Sequence, residues 1–199
     1  MLATKARTQL PAVLRSHCGI TCNKGGRISH LQLSSLGNLT HLTHLNAPHN
    51  SLYGSLYQSS RFFLSLYSLK IVDLSYNLFS GELPFSLPSQ NIRMNDLSSN
   101  HLHGAIPSSF FQQAWNLTSF NVSNNTFSGS IPSSICLHSS PLIRLSDFSF
   151  NEFTGNISQG LGVCSKLQAF RAGYNNLLGL LSEDIYNATT LEEIALPRN

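Results

Sequence analysis

A repeat solenoid of α/β class is the fold that this sequence predicts, and two observations carry the prediction. The phrase NLTSFNVSNNTFSGSIP, residues 116–132, returns along the chain so that its turn asparagine falls at Asn50, Asn77, Asn100, Asn125, Asn151, Asn175 and Asn199, at spacings of 27, 23, 25, 26, 24 and 24. A glycine follows four residues after each of the first six, at Gly54, Gly81, Gly104, Gly129, Gly155 and Gly179. Self-similarity at this period, with apolar residues in the order LxxLxLxxNxLxGxIP, is how a leucine-rich repeat solenoid is written in sequence. The expected architecture places short parallel strands on the concave face and turns with 3-10 or short helical segments on the convex face.

Each part of the phrase has a physical task. The alternating residues of LxLxx form a short strand whose leucines point inward, because side chains change face with period two. The asparagine follows at the bend, where its amide can bond the backbone of the neighbouring coil. The glycine permits a backbone angle or close approach that a side chain would block. The Ile-Pro step supplies a core residue and a fixed turn without an amide donor. Two inward positions are polar, Asn95 and Ser146, and the core is expected to be weaker there.

Taken in order, residues 1–17 lack periodicity and read as a disordered leader or a mis-assigned coding stretch. Residues 18–27, with Cys18 and Cys22, read as a remnant of an N-terminal cap, since a solenoid must cover the apolar edge of its first coil. A Cys18–Cys22 bond would close a tight loop, and the spacing leaves it open. Residues 28–199 form about seven repeats. The first is shortened after the strand expected at 28–33, and the last is cut at Asn199, half-way through its coil.

Composition narrows the function. Charged residues make up 11% of the chain, under half the usual share, and the net charge is +3 with no basic run longer than two residues. No electrostatic footprint for nucleic acid is present. No apolar run approaches the length of a membrane span, and Ala12-Val13-Leu14 is too short for a secretory core. Six N-glycosylation sequons, at Asn38, Asn116, Asn121, Asn124, Asn156 and Asn187, lean toward secretion or exposure on the outer face of the plasma membrane. His41, His44, His49, His101 and His103 are expected on different sides of their coils, so neither a metal nor any other cofactor is expected. No phosphate loop, nucleophile elbow or zincin motif occurs, and an enzyme is not expected.

Binding is expected on the concave face, the recognition surface of solenoids. Outward positions stack there into columns: Thr43, Lys70, Arg93, Thr118, Arg144, Gln168, Glu192; then Asn46, Asp73, Asp96, Asn121, Asp147, Arg171, Ala195; then His49, Tyr76, Ser99, Asn124, Phe150, Tyr174, Arg198. Arg171 interrupts a column of Asp and Asn, beside Arg144, Phe150 and Tyr174. Its planar donor fork suits a sulfate or carboxylate, with an aromatic floor for a peptide side chain, and Lys70 and Arg93 extend the basic surface. The alternative is that Arg171 pairs with Asp147 on a solvated face. Cys136 and Cys164 lie 11 and 13 residues after their asparagines in adjacent coils, a separation that suits a disulfide. The alternative is a free buried Cys164.

The Asn-x-Leu/Phe-x-Gly-x-Ile-Pro phrase resembles the plant-type leucine-rich repeat of receptor kinases, receptor-like proteins and secreted polygalacturonase inhibitors. WNLTSFNVSNNTFSGSIPSSIC, DFSFNEFTGNISQGLGVCSKL and RAGYNNLLG resemble the receptor kinases for tyrosine-sulfated peptides, over residues 66–199. That resemblance implies a peptide ligand or protein partner on the concave face and a co-receptor. It also implies, beyond these repeats, an island domain, one membrane helix and a kinase. Members carry a double cysteine and a tryptophan before Gly-Ile-x-Cys, whereas here only Cys18 precedes Gly19. Two other expectations stand beside the receptor: an inhibitor of a cell-wall hydrolase, and a truncated, non-functional receptor copy.

Overall fold

The computed structural model describes the backbone of Ile20–Cys22 and Ile28–Leu31, and residues 39–56, 66–112, 114–137, 142–157 and 159–199. The leader expected at residues 1–17, the Cys18–Cys22 bond, the Asn38 sequon and the shortened first coil lie outside the described residues. Strands β1 (Ile20–Cys22) and β2 (Ile28–Leu31) pair antiparallel, with a register shift between Thr21 and Cys22.

The repeats then alternate between two parallel sheets. One holds β3 (His44–Asn46), β5 (Ile71–Asp73), β7 (Met94–Asp96), β9 (Ser119–Asn121), β11 (Leu145–Asp147), β13 (Ala169–Arg171) and β15 (Glu193–Ala195), in that order. The pairing keeps strict register, Leu45 against Val72, Val72 against Asn95, and so to Phe170 against Ile194. The other holds β4 (Tyr53–Ser55), β6 (Leu78–Gly81), β8 (His101–Ala105), β10 (Thr126–Gly129), β12 (Glu152–Gly155) and β14 (Asn176–Leu177). This second sheet adds to the predicted architecture. It forms because the two residues after each ladder asparagine alternate outward and inward, as in Leu78 exposed and Phe79 buried. The convex side carries 3-10 turns at Ser108–Phe111, Leu161–Val163 and Glu183–Asn187 and one helical turn, α1 (Ser134–Leu137).

Between the sheets lies one continuous core. Its centre is a run of phenylalanines in edge or tilted contact: Phe111 on Phe120 at 5.0 Å between centroids, Phe120 on Phe148 at 5.8 Å, and Phe148 on Phe170 at 6.0 Å. Such contacts exceed simple area burial in worth by about 0.5–1.5 kcal/mol each. The asparagines staple coil to coil. Asn100 accepts the Phe79 N–H at 3.0 Å and donates to the carbonyls of Leu74, Leu97 and Ser98 at 3.0, 3.1 and 3.1 Å. Asn77, Asn125, Asn151 and Asn175 repeat the pattern, so each amide binds backbone of its own coil and of the preceding one. The ladder is thus amide-to-backbone; the amides do not bond one another. At Gly129 the backbone takes φ 75°, and an added Cβ would sit 3.3 Å from that of Ala105. There the glycine is required on both counts.

The two polar inward positions differ. Asn95 borders a crevice of about 20 Å³ lined by Val72, Leu83, Leu97 and Phe110, wide enough for a water to reach its amide. Ser146 is 1% exposed, and its Oγ has no hydrogen-bond partner. A buried hydroxyl without a partner carries its desolvation cost unrelieved. Ser146→Ala is therefore expected to raise the unfolding free energy by about 1 kcal/mol, read as a higher urea midpoint at unchanged slope.

Candidate ligand-binding face

Strict alternation along β5 to β13 brings a column onto the concave face that the sequence reading passed over: His44, Ile71, Met94, Ser119, Leu145, Ala169 and Glu193, in register. Ile71, Met94, Leu145 and Ala169 are half-buried there. The signal was present, since these residues stand two before Asp73, Asp96, Asp147 and Arg171. The column preceding it, containing Lys70, Arg93 and Arg144, is the edge at which each chain enters its strand, and Lys70 and Arg93 are bridged by the Arg93 N–H to the Lys70 carbonyl. Lys70, Arg93 and Arg144 are exposed, and none forms an ion pair among the described residues.

The carboxylates of the next column are occupied locally. Asp73, Asp96 and Asp147 each accept the N–H and the hydroxyl of the serine two residues on, Ser75, Ser98 and Ser149. These are Asx turns that hold the bend, a structural role. Asn121 joins the row by donating to Asp96 Oδ2 at 3.1 Å.

Arg171 does pair with Asp147, and it holds a second, closer partner on the next coil. Its Nε and Nη2 donate to Glu193 Oε1 and Oε2, both at 2.7 Å, while Asp147 lies 3.7 Å from Nη1. The hydrogen bond from Arg171 holds the Glu193 carboxyl below its usual range, and the same bond raises Arg171. The planar fork is therefore filled by a residue of the next coil. Being exposed, the pair contributes little stability.

At the bend, one residue before each ladder asparagine, the backbone is left-handed seven times over, from His49 (φ 54°) through Tyr76, Ser99, Asn124, Phe150 and Tyr174 to Arg198 (φ 54°). Identical backbone geometry sends every side chain out in one direction. Rings consequently stack: His49 on Tyr76 at 4.2 Å, and Phe150 on Tyr174 at 4.1 Å with the Arg198 guanidinium 5.4 Å from the Tyr174 ring. Phe150 and Tyr174 thus lie together, face to face.

Three sequon asparagines use their amide nitrogens within the fold: Asn116 donates to the Gln90 carbonyl, Asn121 to Asp96 and Asn124 to Ser99 Oγ. Asn156 and Asn187 are exposed. Cys136, in α1, and Cys164 are joined by a disulfide with Cα atoms 5.0 Å apart, tying adjacent convex turns. Nearby, Asp184 caps the next turn by accepting the Gly160 and Gly162 N–H groups at 2.7 and 3.2 Å. Among the described residues no group of three His, Cys, Asp or Glu converges as a metal site would need, and no helix is long and apolar enough to cross a membrane.

The family model named Leucine Rich Repeat matches residues 68–89 and 116–137. The chain is 35% identical to phytosulfokine receptor 1 of Arabidopsis thaliana over 87% of its own length, and 51% identical to receptor-like protein 3 of the same plant over 69%. It spans 16% and 19% of those two relatives. Among solved structures it is similar to the ectodomain of the Arabidopsis receptor kinase HAESA in complex with an IDA peptide hormone. The TM-score is 0.78 and the identity 29%, covering 87% of this chain and 28% of that one.

Proposed function

We propose that this chain, a leucine-rich repeat array of the plant receptor kind, is an extracellular ligand-recognition segment that takes a peptide on its concave face. The observation that carries the proposal is the distribution of unsatisfied groups across that face. Each carboxylate of the acidic column holds the serine two residues on through its Oδ1, whereas Lys70, Arg93 and Arg144 form no ion pair among the described residues and stand beside half-buried Ile71, Met94 and Leu145, with Ser119 between the last two. An extended peptide lying along the array would bury its apolar side chains on those three residues and present acidic or sulfated groups to the basic edge. Charge-assisted bonds of that kind are the strong ones.

The relatives' names support the ligand class: one is a receptor for phytosulfokine, and the HAESA ectodomain is solved with a peptide hormone. Tyrosine-sulfated peptides are the candidate ligands, and a co-receptor is the candidate protein partner. The Cys136–Cys164 disulfide supports a site outside the cytosol, either secreted or on the outer face of the plasma membrane, because such bonds persist in oxidising compartments. In the proposed domain plan, residues 18–27 cap the array and 28–199 form it.

Arg144 replaces Arg171 as the group to test, since the Arg171 fork already holds Glu193. Titration of the purified chain with a tyrosine-sulfated peptide and its unsulfated counterpart is expected to show tighter binding of the sulfated form. Arg144→Ala is expected to remove most of that difference, about tenfold, as loss of one charge-assisted contact implies. Equal binding of both peptides, or an unchanged difference in Arg144→Ala, defeats the proposal.

A further inference from the structure

The flank by which each coil returns from its convex turn to its concave strand carries cations and no carboxylate over five successive coils. It comprises residues 66–70, 88–93, 114–118, 142–144 and 163–168, which hold Lys70, Arg93, Arg144 and Lys166 but neither Asp nor Glu. All four cations are exposed, and none forms an ion pair among the described residues. Asp73, Asp96 and Asp147 stand three residues beyond Lys70, Arg93 and Arg144 on the concave strands, roughly 10 Å away and so about one screening length at physiological salt. Glu152, in β12, and Glu82, directly after β6, belong to the second sheet's side. Backbone pairing sets the flank in straight rows. The Arg93 N–H donates to the Lys70 carbonyl, that of Thr118 to Arg93 and that of Arg144 to Thr118, at 2.7, 2.7 and 2.8 Å, so the cations fill three of four consecutive rungs. A parallel row holds Tyr67, Gln90 and Trp115, tied by the Asn91 and Asn116 amides to the Tyr67 and Gln90 carbonyls at 3.1 and 3.0 Å. Its two rings, Tyr67 at 57% and Trp115 at 51% exposed, stand two rungs apart.

We infer that this flank binds a linear acidic polysaccharide, a chain of carboxylate-bearing sugars lying along the solenoid axis. Cations without a carboxylate among them complement a polyanion, and their bonds to carboxylates are of the strong, charge-assisted kind. The row of cations and the row of rings run parallel, so a ligand that repeats along its length meets both, whereas the scattered charges of a globular surface do not. Exposed tyrosine and tryptophan offer apolar faces with a polar tip, which suits the C–H faces and hydroxyls of sugar rings. The Cys136–Cys164 disulfide places the chain in an oxidising compartment, where the polyanion is a polysaccharide rather than a nucleic acid. The inference goes beyond the peptide reading and does not depend on it, since Tyr67, Trp115 and Lys166 take no part in that site.

Trp115 is the only tryptophan of the chain, so its fluorescence reports on this flank directly. The probes are α-linked decagalacturonate, its methyl-esterified form and deca-glutamate, titrated against the purified chain. Decagalacturonate is expected to shift the Trp115 emission saturably and to bind roughly fivefold tighter than deca-glutamate, as aromatic contact with a sugar provides. The esterified form, stripped of its charges, is expected to bind at least about tenfold more weakly. Lys166→Glu, an exposed change, should weaken decagalacturonate about tenfold, and Trp115→Ala, followed by calorimetry, roughly fivefold. Neither variant should change binding of a sulfated peptide. No binding of decagalacturonate, or an affinity unchanged in both variants, overturns the inference. So does equal binding of deca-glutamate, which would mark the flank as a seat for acidic protein. Binding that leaves the Trp115 emission unmoved, or a glycan found on Asn116 beside that ring, overturns it as well. Sulfate-dependent peptide binding without decagalacturonate binding removes the flank site and leaves the proposed function standing; the reverse result removes the proposed function and leaves the flank site.

Discussion

Replacing Asn125 by alanine should lower the unfolding free energy of the array by at least about 3 kcal/mol, more than any exposed substitution. Its Oδ1 accepts the Leu102 N–H at 3.0 Å. Its Nδ2 protons are shared among the carbonyls of Leu97, Val122 and Ser123 at 3.0, 3.1 and 3.2 Å. Alanine fills none of these positions, and the groups left behind are buried between coils where water does not replace the amide. Each unpaired group costs about 1–3 kcal/mol. In a solenoid the loss falls on the interface between neighbours, through which each coil gains most of its stability. Asn125→Asp sharpens the test. It keeps the acceptor for Leu102 but turns a carboxylate toward three carbonyls, so it should be as damaging as alanine at neutral pH. The control is Asn124→Gly, one residue earlier, where the amide is exposed and the left-handed backbone suits glycine. Urea unfolding followed by circular dichroism measures all three. A loss under about 1 kcal/mol in Asn125→Ala would remove the ladder as the main coil-to-coil staple.

Much of this was legible because leucine spacing encodes both the period and the inward face. The odd-numbered strands from β3 to β15, the ladder asparagines and the six positive-φ glycines that follow them sit where the phrase puts them. The second sheet was harder to see. Its strands are two to five residues long, too short for alternation to stand out, and each is fixed by its neighbour some 25 residues away rather than by its own sequence. The concave face was legible in its columns but not in its contacts. Reading 43, 70, 93 as the first outward column displaced attention from 44, 71, 94, although strict alternation from Asp73 points to Ile71. The closer partner of Arg171, Glu193, was hidden for the same reason, although the pairing with Asp147 was legible. Glu193 stands two residues before Ala195, which pairs with Arg171, so the ion pair runs diagonally between strands. The left-handed backbone recurs at seven residues of which only two, His49 and Asn124, are of a type enriched there. Nothing local in Tyr76 or Phe150 announces that conformation, which recurs one residue before each ladder asparagine.

Removal of the Cys136–Cys164 disulfide should cost about 3.5 kcal/mol by the loop-entropy relation for a separation of 28 residues. In this fold the loss should also be local. The bond joins two adjacent convex turns, α1 and the residue after Leu161–Val163, where regular backbone pairing is sparse. Beyond β13 the packing thins: Leu180 is 91% exposed and Tyr186 is 83% exposed, whereas Phe120, Phe148 and Phe170 are fully buried. The coils after Cys164 therefore depend on the disulfide and on the two sheets for their attachment. Without the bond they should open before the phenylalanine-filled centre does. Cys136→Ala/Cys164→Ala is the cleaner variant, because alanine introduces no buried hydroxyl, and the reduced wild-type chain should behave like it. Hydrogen exchange resolved along the chain is expected to show protection falling first at β15 while β7, β9 and β11 keep theirs. Uniform loss along all seven strands would mean that the array unfolds as one unit, with the disulfide acting only on the unfolded chain. Unchanged urea midpoints with and without reductant would mean that the two sheets alone hold these coils together.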